Sequence, residues 1–171
     1  MSSTCTLPVM SVDKVEYDLT GNVVKQSGTL SQMVSDLGID LDSEQPLDIE
    51  RIELNNCSGH ILKAVIEWAE ANQKALEKFE NETEFEAVQD ELAEFNDKFV
   101  NDKRLVIFEL ILAANYLDMK DLFTAATDFV SETLRLHDPE KIREMWGLEN
   151  DFDPEDIAEK KHEMDVDDPN E

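Results

Sequence analysis

Three histidines, His60, His137 and His162, and two cysteines, Cys5 and Cys57, are the side chains best suited to nucleophilic, acid–base or metal chemistry, and the three histidines stand apart in sequence. Neither cysteine belongs to a CxxC pair, so buried or free thiols are expected rather than a disulfide or a zinc site. The chain has no Gly-rich phosphate loop, nucleophile elbow, HExxH motif or kinase set. Asp165 to Asp168 lack the glycine and regular spacing of a calcium loop. The many other carboxylates read as solvated surface charge. The residues point to a protein that is not an enzyme and needs no cofactor or metal.

The chemistry that the sequence does offer is burial of apolar surface against a partner. From Leu105 to Asp118 the chain runs LVIFELILAANYLD, apolar on nearly every side of a helix and broken only by Glu109, Asn115 and Asp118. A helix that covers one core would show a polar opposite face. This one is expected at the centre of a core, or with one face on its own domain and the other on a partner. Further along, Ile142, Met145, Trp146, Leu148 and Phe152 add apolar side chains on short helices that cannot all enter one small core. Trp146 and Phe152, at or beyond the end of a two-turn helix, are expected as aromatic anchors of an interface. Leu122, Phe123 and Phe129 are expected to pack inward.

Charge narrows the class of partner. With 41 acidic and 15 basic residues among 171, the formal charge is -26, which opposes binding to nucleic acid or an anionic membrane and favours a basic protein surface. No stretch is long and apolar enough for a transmembrane helix, and the first residues lack a signal-peptide pattern. The expected location is cytoplasm and nucleus. Acidity peaks in residues 138–171, with 14 acidic and 4 basic residues, and the final Asp165–Glu171 stretch reads as an acidic tail.

Local patterns supply the elements that would hold the apolar helix in place. Leu7 and Val9, then Val15, Tyr17 and Leu19, alternate as strands around a turn at Asp13-Lys14, with Pro8 arguing for a short or edge strand. Leu30, Met33, Val34 and Leu37 recur at helical spacing before Gly38, a predicted C-terminal cap. Ile52 and Leu54 predict a further short strand. Ile61, Leu62, Val65, Ile66 and Ala69 form a helical stripe with Ser58 as predicted N-cap, and Trp68 is assignable to core or rim. Residues 72–90 read as an acidic connection. Asp118 with Asp121 reads as an acidic capping box opening another helix, and Asp138-Pro139 and Asp153-Pro154 each mark a helix start. The pattern is α+β: short strands and helices over roughly residues 1–135, then a helical extension over 136–163 and a tail over 164–171.

Several motifs also resemble a known family. Phe108-Glu-Leu-Ile-Leu-Ala-Ala-Asn-Tyr-Leu-Asp-Met-Lys120 resembles the signature helix of the S-phase kinase-associated protein family, the adaptors of SCF ubiquitin ligases. Val24-Lys-Gln-Ser27 with Asp36-Leu-Gly38, Ile61 to Trp68, Pro139 to Arg143 and Glu149 to Phe152 match in the same order. The resemblance implies a BTB/POZ-like domain, with an acidic loop or insertion around 70–96, followed by an F-box-binding helical extension.

It also implies two partners, a cullin and F-box proteins. The F-box surface would comprise the extension and the C-terminal half of the signature-helix region, at positions Phe108, Ile111, Leu112, Ile142, Trp146, Leu148, Asn150 and Phe152. The opposite side of the signature helix, at Asn115 and Tyr116, would meet the cullin. A diverged paralogue that binds F-box proteins without a cullin is the alternative. The chain departs from the family pattern in carrying Asp13-Lys14 at the hairpin, Phe95 where relatives have a Trp, and no Trp near its end.

Overall fold

The alternations around Leu7, Val9, Tyr17 and Leu19 form an antiparallel hairpin, β1 (Thr6–Ser11) and β2 (Glu16–Thr20), in a computed structural model that describes residues 5–41, 49–81 and 85–150. The turn lies at Asp13-Lys14, with Lys14 in the left-handed region at φ 63°. A third strand, β3 (Ile52–Leu54), pairs parallel to β1 on its other edge, giving the order β2-β1-β3. Pro8 therefore lies in the central strand rather than an edge strand. It is tolerated because β3 pairs with β1 only from Val9 to Ser11, so Pro8 lies beyond the end of that ladder.

Helices α1 (Gly21–Lys25) and α2 (Gly28–Asp36) follow the hairpin, and Gly38 at φ 64° closes α2 as the sequence predicts. Helix α3 (Gly59–Asn81) buries Ile61, Leu62, Val65, Trp68 and Ala69, which places Trp68 in the core. The start of α3 is capped differently from the expectation. Ser58 gives its carbonyl to the Leu62 N–H, but its hydroxyl pairs with the His60 ring, and the Gly59 N–H instead donates to Asp13 Oδ1 at 2.7 Å. The cap comes from the hairpin turn, 46 residues upstream.

The region read as an acidic connection is largely helical: α3 continues to Asn81 and α4 occupies Phe85–Asp102. No Gly or Pro interrupts residues 85–102, and Leu92, Phe95 and Phe99 recur on one side, with the two phenylalanines half-buried against the core and Val100 buried. The Trp68 indole N–H donates to Asn96 Oδ1 at 2.8 Å and joins α3 to α4. A 3-10 turn (Arg104–Val106) then leads into α5 (Ile107–Tyr116), α6 (Lys120–Leu136) and α7 (Pro139–Trp146).

The capping box expected at Asp118 and Asp121 does not form. Asp118 adopts φ 50° in the tight link after α5, and α6 starts from Met119 without a side-chain cap. Both thiols are free and buried, and burial pushes Cys57 up to about 11, which keeps it protonated and unreactive. Asp153-Pro154, Phe152 and the tail at 164–171 lie outside the described residues.

Candidate protein-binding face on helix α5

The apolar character of α5 resolves into two faces. Ile107, Leu110, Ala113, Ala114 and Leu117 are fully buried, spaced at three and four residues as a single core-facing stripe. The other side exposes Phe108 (48% exposed) and Leu112 (66%), with Ile111 half-buried between the two faces. Core and rim are both apolar because this helix meets its own domain on one side only.

The far end of the helix is held by α2. A helix start carries N–H groups without partners and a helix end carries carbonyls without partners, and here each set meets the other. Gly28 N–H donates to the Asp118 carbonyl at 3.1 Å, and Thr29 N–H to the Leu117 carbonyl at 3.2 Å. The Thr29 hydroxyl donates to the Tyr116 carbonyl at 2.8 Å. Ser27 Oγ accepts from the Leu30 N–H as the α2 cap and donates to the Leu117 carbonyl. Asn115 is left exposed and Tyr116 half-buried, with their backbone positions fixed from behind.

Asn115 and Tyr116 do not lie opposite Phe108 and Leu112. At 100° per residue Asn115 falls close to Phe108 around the helix, and Tyr116 stands one turn beyond Leu112 on the same outward arc. The two pairs are separated along the axis, by roughly 10 Å between Phe108 and Asn115 at 1.5 Å per residue. Of the residues expected for F-box binding on α5, Phe108 and Ile111 lie in its first half and Leu112 just past its middle. One outward face thus carries an apolar end and a polar end.

Helix α7 extends the apolar end. Asp138 caps it by accepting the Lys141 N–H at 2.8 Å, Pro139 occupies its first position, and Gly147 at φ 65° ends it, all as the sequence predicts. The Leu148 N–H then bonds back to the Arg143 carbonyl at 2.9 Å, turning Leu148 outward, where it is half exposed. Ile142 and Met145 are half-buried against the core.

Trp146 departs from the expectation of an open anchor. Only 8% of it is exposed, and its ring packs edge-on against Phe108 with centroids 5.2 Å apart. The surface that faces outward here is Phe108, with Trp146 behind it. Leu105, 66% exposed in the 3-10 turn, borders the same corner: its Cδ2 lies 3.6 Å from where a Cβ on Gly147 would stand. Sequence reasoning missed Leu105 as a surface residue because it took the helix to start there.

Phe108, Leu112 and Leu148 are therefore outward, Ile111 and Ile142 half-buried, Asn150 exposed and Trp146 buried. Phe123 is 36% exposed on α6 rather than packed inward, while Leu122 is buried and Phe129 half-buried. Among the described residues no three or more His, Cys, Asp or Glu side chains cluster as metal ligands. The chemistry the face offers is association.

Comparison with known proteins decides the family. Residues 6–74, from β1 into α3, match a model described as the Skp1 family tetramerisation domain, and residues 120–165 match the Skp1 family dimerisation domain. A Skp1-related protein of Caenorhabditis elegans is 31% identical over 157 residues, covering 92% of this chain and 88% of the relative. The chain belongs to the Skp1 family. Two fungal relatives, each called E3 ubiquitin ligase complex SCF subunit sconC, are also 31% identical: one from Arthroderma benhamiae over 95% of this chain and 96% of its own length, and one from Talaromyces stipitatus over the same shares. The three-stranded sheet with its helices is the BTB/POZ-like, α+β part of this Skp1-family chain. Helix α5 falls between the two matched segments and bridges them.

Proposed function

We propose that this Skp1-family chain is a non-enzymatic adaptor subunit of an SCF-type cullin ubiquitin ligase, joining an F-box substrate receptor to the cullin scaffold. The observation that carries the reading is α5 itself, buried on one side and presenting Phe108 and Leu112 at one end and Asn115 and Tyr116 at the other. The names of the fungal relatives as SCF subunits support it.

In this reading the F-box segment covers Phe108, Ile111, Leu112, Ile142, Leu148, Asn150 and Phe152 over the Trp146 ring, and the cullin takes Asn115 and Tyr116. The adaptor contributes rigidity. A substrate held by the receptor gains a high effective concentration at the ubiquitin-transfer machinery, while the adaptor takes no part in the bond chemistry. The bonds between the start of α2 and the end of α5 hold the polar docking end firmly on the domain, and α5 itself spans from there to the apolar end. The acidic surface complements basic partner surfaces and speeds their encounter. The proposed site of action is the cytoplasm and nucleus.

The test is co-purification of the full chain with an F-box domain, with a cullin N-terminal domain, and with both together. A ternary complex of one copy of each is the expected result. Binding to the F-box domain with none to the cullin would establish the diverged-paralogue role instead.

A further inference from the structure

The fold contains two tryptophans, and it treats their indole N–H groups differently. Trp68, in the core, donates to Asn96 Oδ1 at 2.8 Å. Trp146 is more than nine-tenths buried, and its Nε1 is enclosed with no hydrogen-bond partner among the described residues. A buried donor without an acceptor is costly, and native folds retain few of them. This one lies behind Phe108, at the corner where Leu105 and Leu148 are also exposed. The helix that carries it, α7, has its principal contact with the 3-10 turn at Arg104–Val106.

Building on the F-box reading, we propose that the Trp146 indole N–H is a specificity contact: the bound F-box segment supplies a neutral carbonyl oxygen that accepts it. The donor is uncovered by a small adjustment of α7 as the segment seats over Phe108 and Leu148. A neutral acceptor fits better than a carboxylate, because Glu144 and Glu149 lie within three residues of Trp146 in sequence and Lys141, on the same helix, is already engaged by Glu144 at 2.7 Å. Apolar contact with Phe108 and Leu112 would hold many sequences. The indole discriminates among them, because a segment that covers the N–H without an acceptor leaves it unpaired in the complex as well.

The experiment uses the full chain, its Trp146→Phe variant, and an F-box domain that co-purifies with the wild-type chain. Phenylalanine keeps an aromatic ring against Phe108 and removes the donor, so the free variant should stay folded with its midpoint lowered by no more than a few degrees by the smaller ring. Its affinity for the F-box domain should fall about three- to tenfold. In nitrogen-15 spectra the Trp146 indole resonance should move downfield on binding, toward the hydrogen-bonded position, while that of Trp68 stays in place. Unchanged affinity of Trp146→Phe, with wild-type binding intact, overturns this inference and leaves the adaptor reading standing. So does an indole signal that is already downfield in the free chain, since the donor would then be satisfied within the protein. A wild-type chain that binds no F-box domain overturns both.

Discussion

Ser27 and Leu117, 90 residues apart, share a buried hydrogen bond in which the Ser27 hydroxyl donates to the Leu117 carbonyl while its oxygen caps α2 by accepting from the Leu30 N–H. One side chain thus closes the start of α2 and the end of α5 together. The outward face of α5 is firm at its polar end for this reason, and the consequence can be measured. Ser27→Ala leaves a carbonyl and an N–H short of a partner inside the fold and should lower stability by about 2 kcal/mol. For a chain of this size that is a fall of roughly 4–8 °C in the thermal midpoint. A change of less than about 1 °C would show that the bond adds nothing.

Asp13 ties the hairpin turn to the start of α3 and should make stability depend on acid. The Ser11 hydroxyl bond, and the Gly59 N–H after it, hold the Asp13 carboxyl below its ordinary value against a smaller opposing effect of burial. A carboxyl with a lowered folded pKa contributes stability above its unfolded value, about 3.9, and loses it as pH falls through the folded one. The stability gap between wild type and Asp13→Asn should therefore be larger at pH 7 than at pH 3. Urea midpoints of both proteins at the two pH values provide the comparison, and a gap that widens in acid would contradict the assignment.

Leu112 tests the apolar end of the face without touching the core. Because it is two-thirds exposed, Leu112→Asp should leave the thermal midpoint nearly unchanged yet weaken F-box binding by roughly tenfold or more. Calorimetric titration with an F-box domain measures the loss. Full-strength binding by the variant would place the F-box elsewhere.

Asn115→Ala with Tyr116→Ala should weaken cullin binding by roughly tenfold or more and leave F-box binding within about twofold. Separation along the helix, rather than opposite sides, is the reason for the selectivity. The bonds that hold this end of α5 use the Tyr116 and Leu117 carbonyls, which alanine retains, so the fold should survive. Equal loss of both partners in pull-down titrations would mean that the two ends of the face act as one site.

Much of this fold is local and therefore legible in the sequence. The alternation of Leu7, Val9 and Leu19, the stripe from Ile61 to Ala69, Asp138-Pro139 at the start of α7 and the left-handed glycines at 38 and 147 all depend on neighbours within a few residues. The signature run from Phe108 to Lys120 is equally local, and it indicated the family. Periodicity in residues 85–102 was present but diluted by charge, so the helix there emerged only with Trp68 and Asn96 in contact.

Tertiary structure alone decided the rest. A helix apolar all round contains no record of which side will be covered, since every face is equally suited to burial, and only the packing of α5 against α3 and α6 left Phe108 and Leu112 outside. The same holds for Pro8, central because a three-residue strand pairs just past it, and for Asp13, which caps α3 in place of Ser58. Trp146 was readable as an aromatic at a helix end, but whether it faces solvent or the back of Phe108 depends on where the 3-10 turn sets α7. Periodicity specifies which faces are apolar, and close packing among distant segments, each competing to cover the others, selects which of those faces remain for a partner.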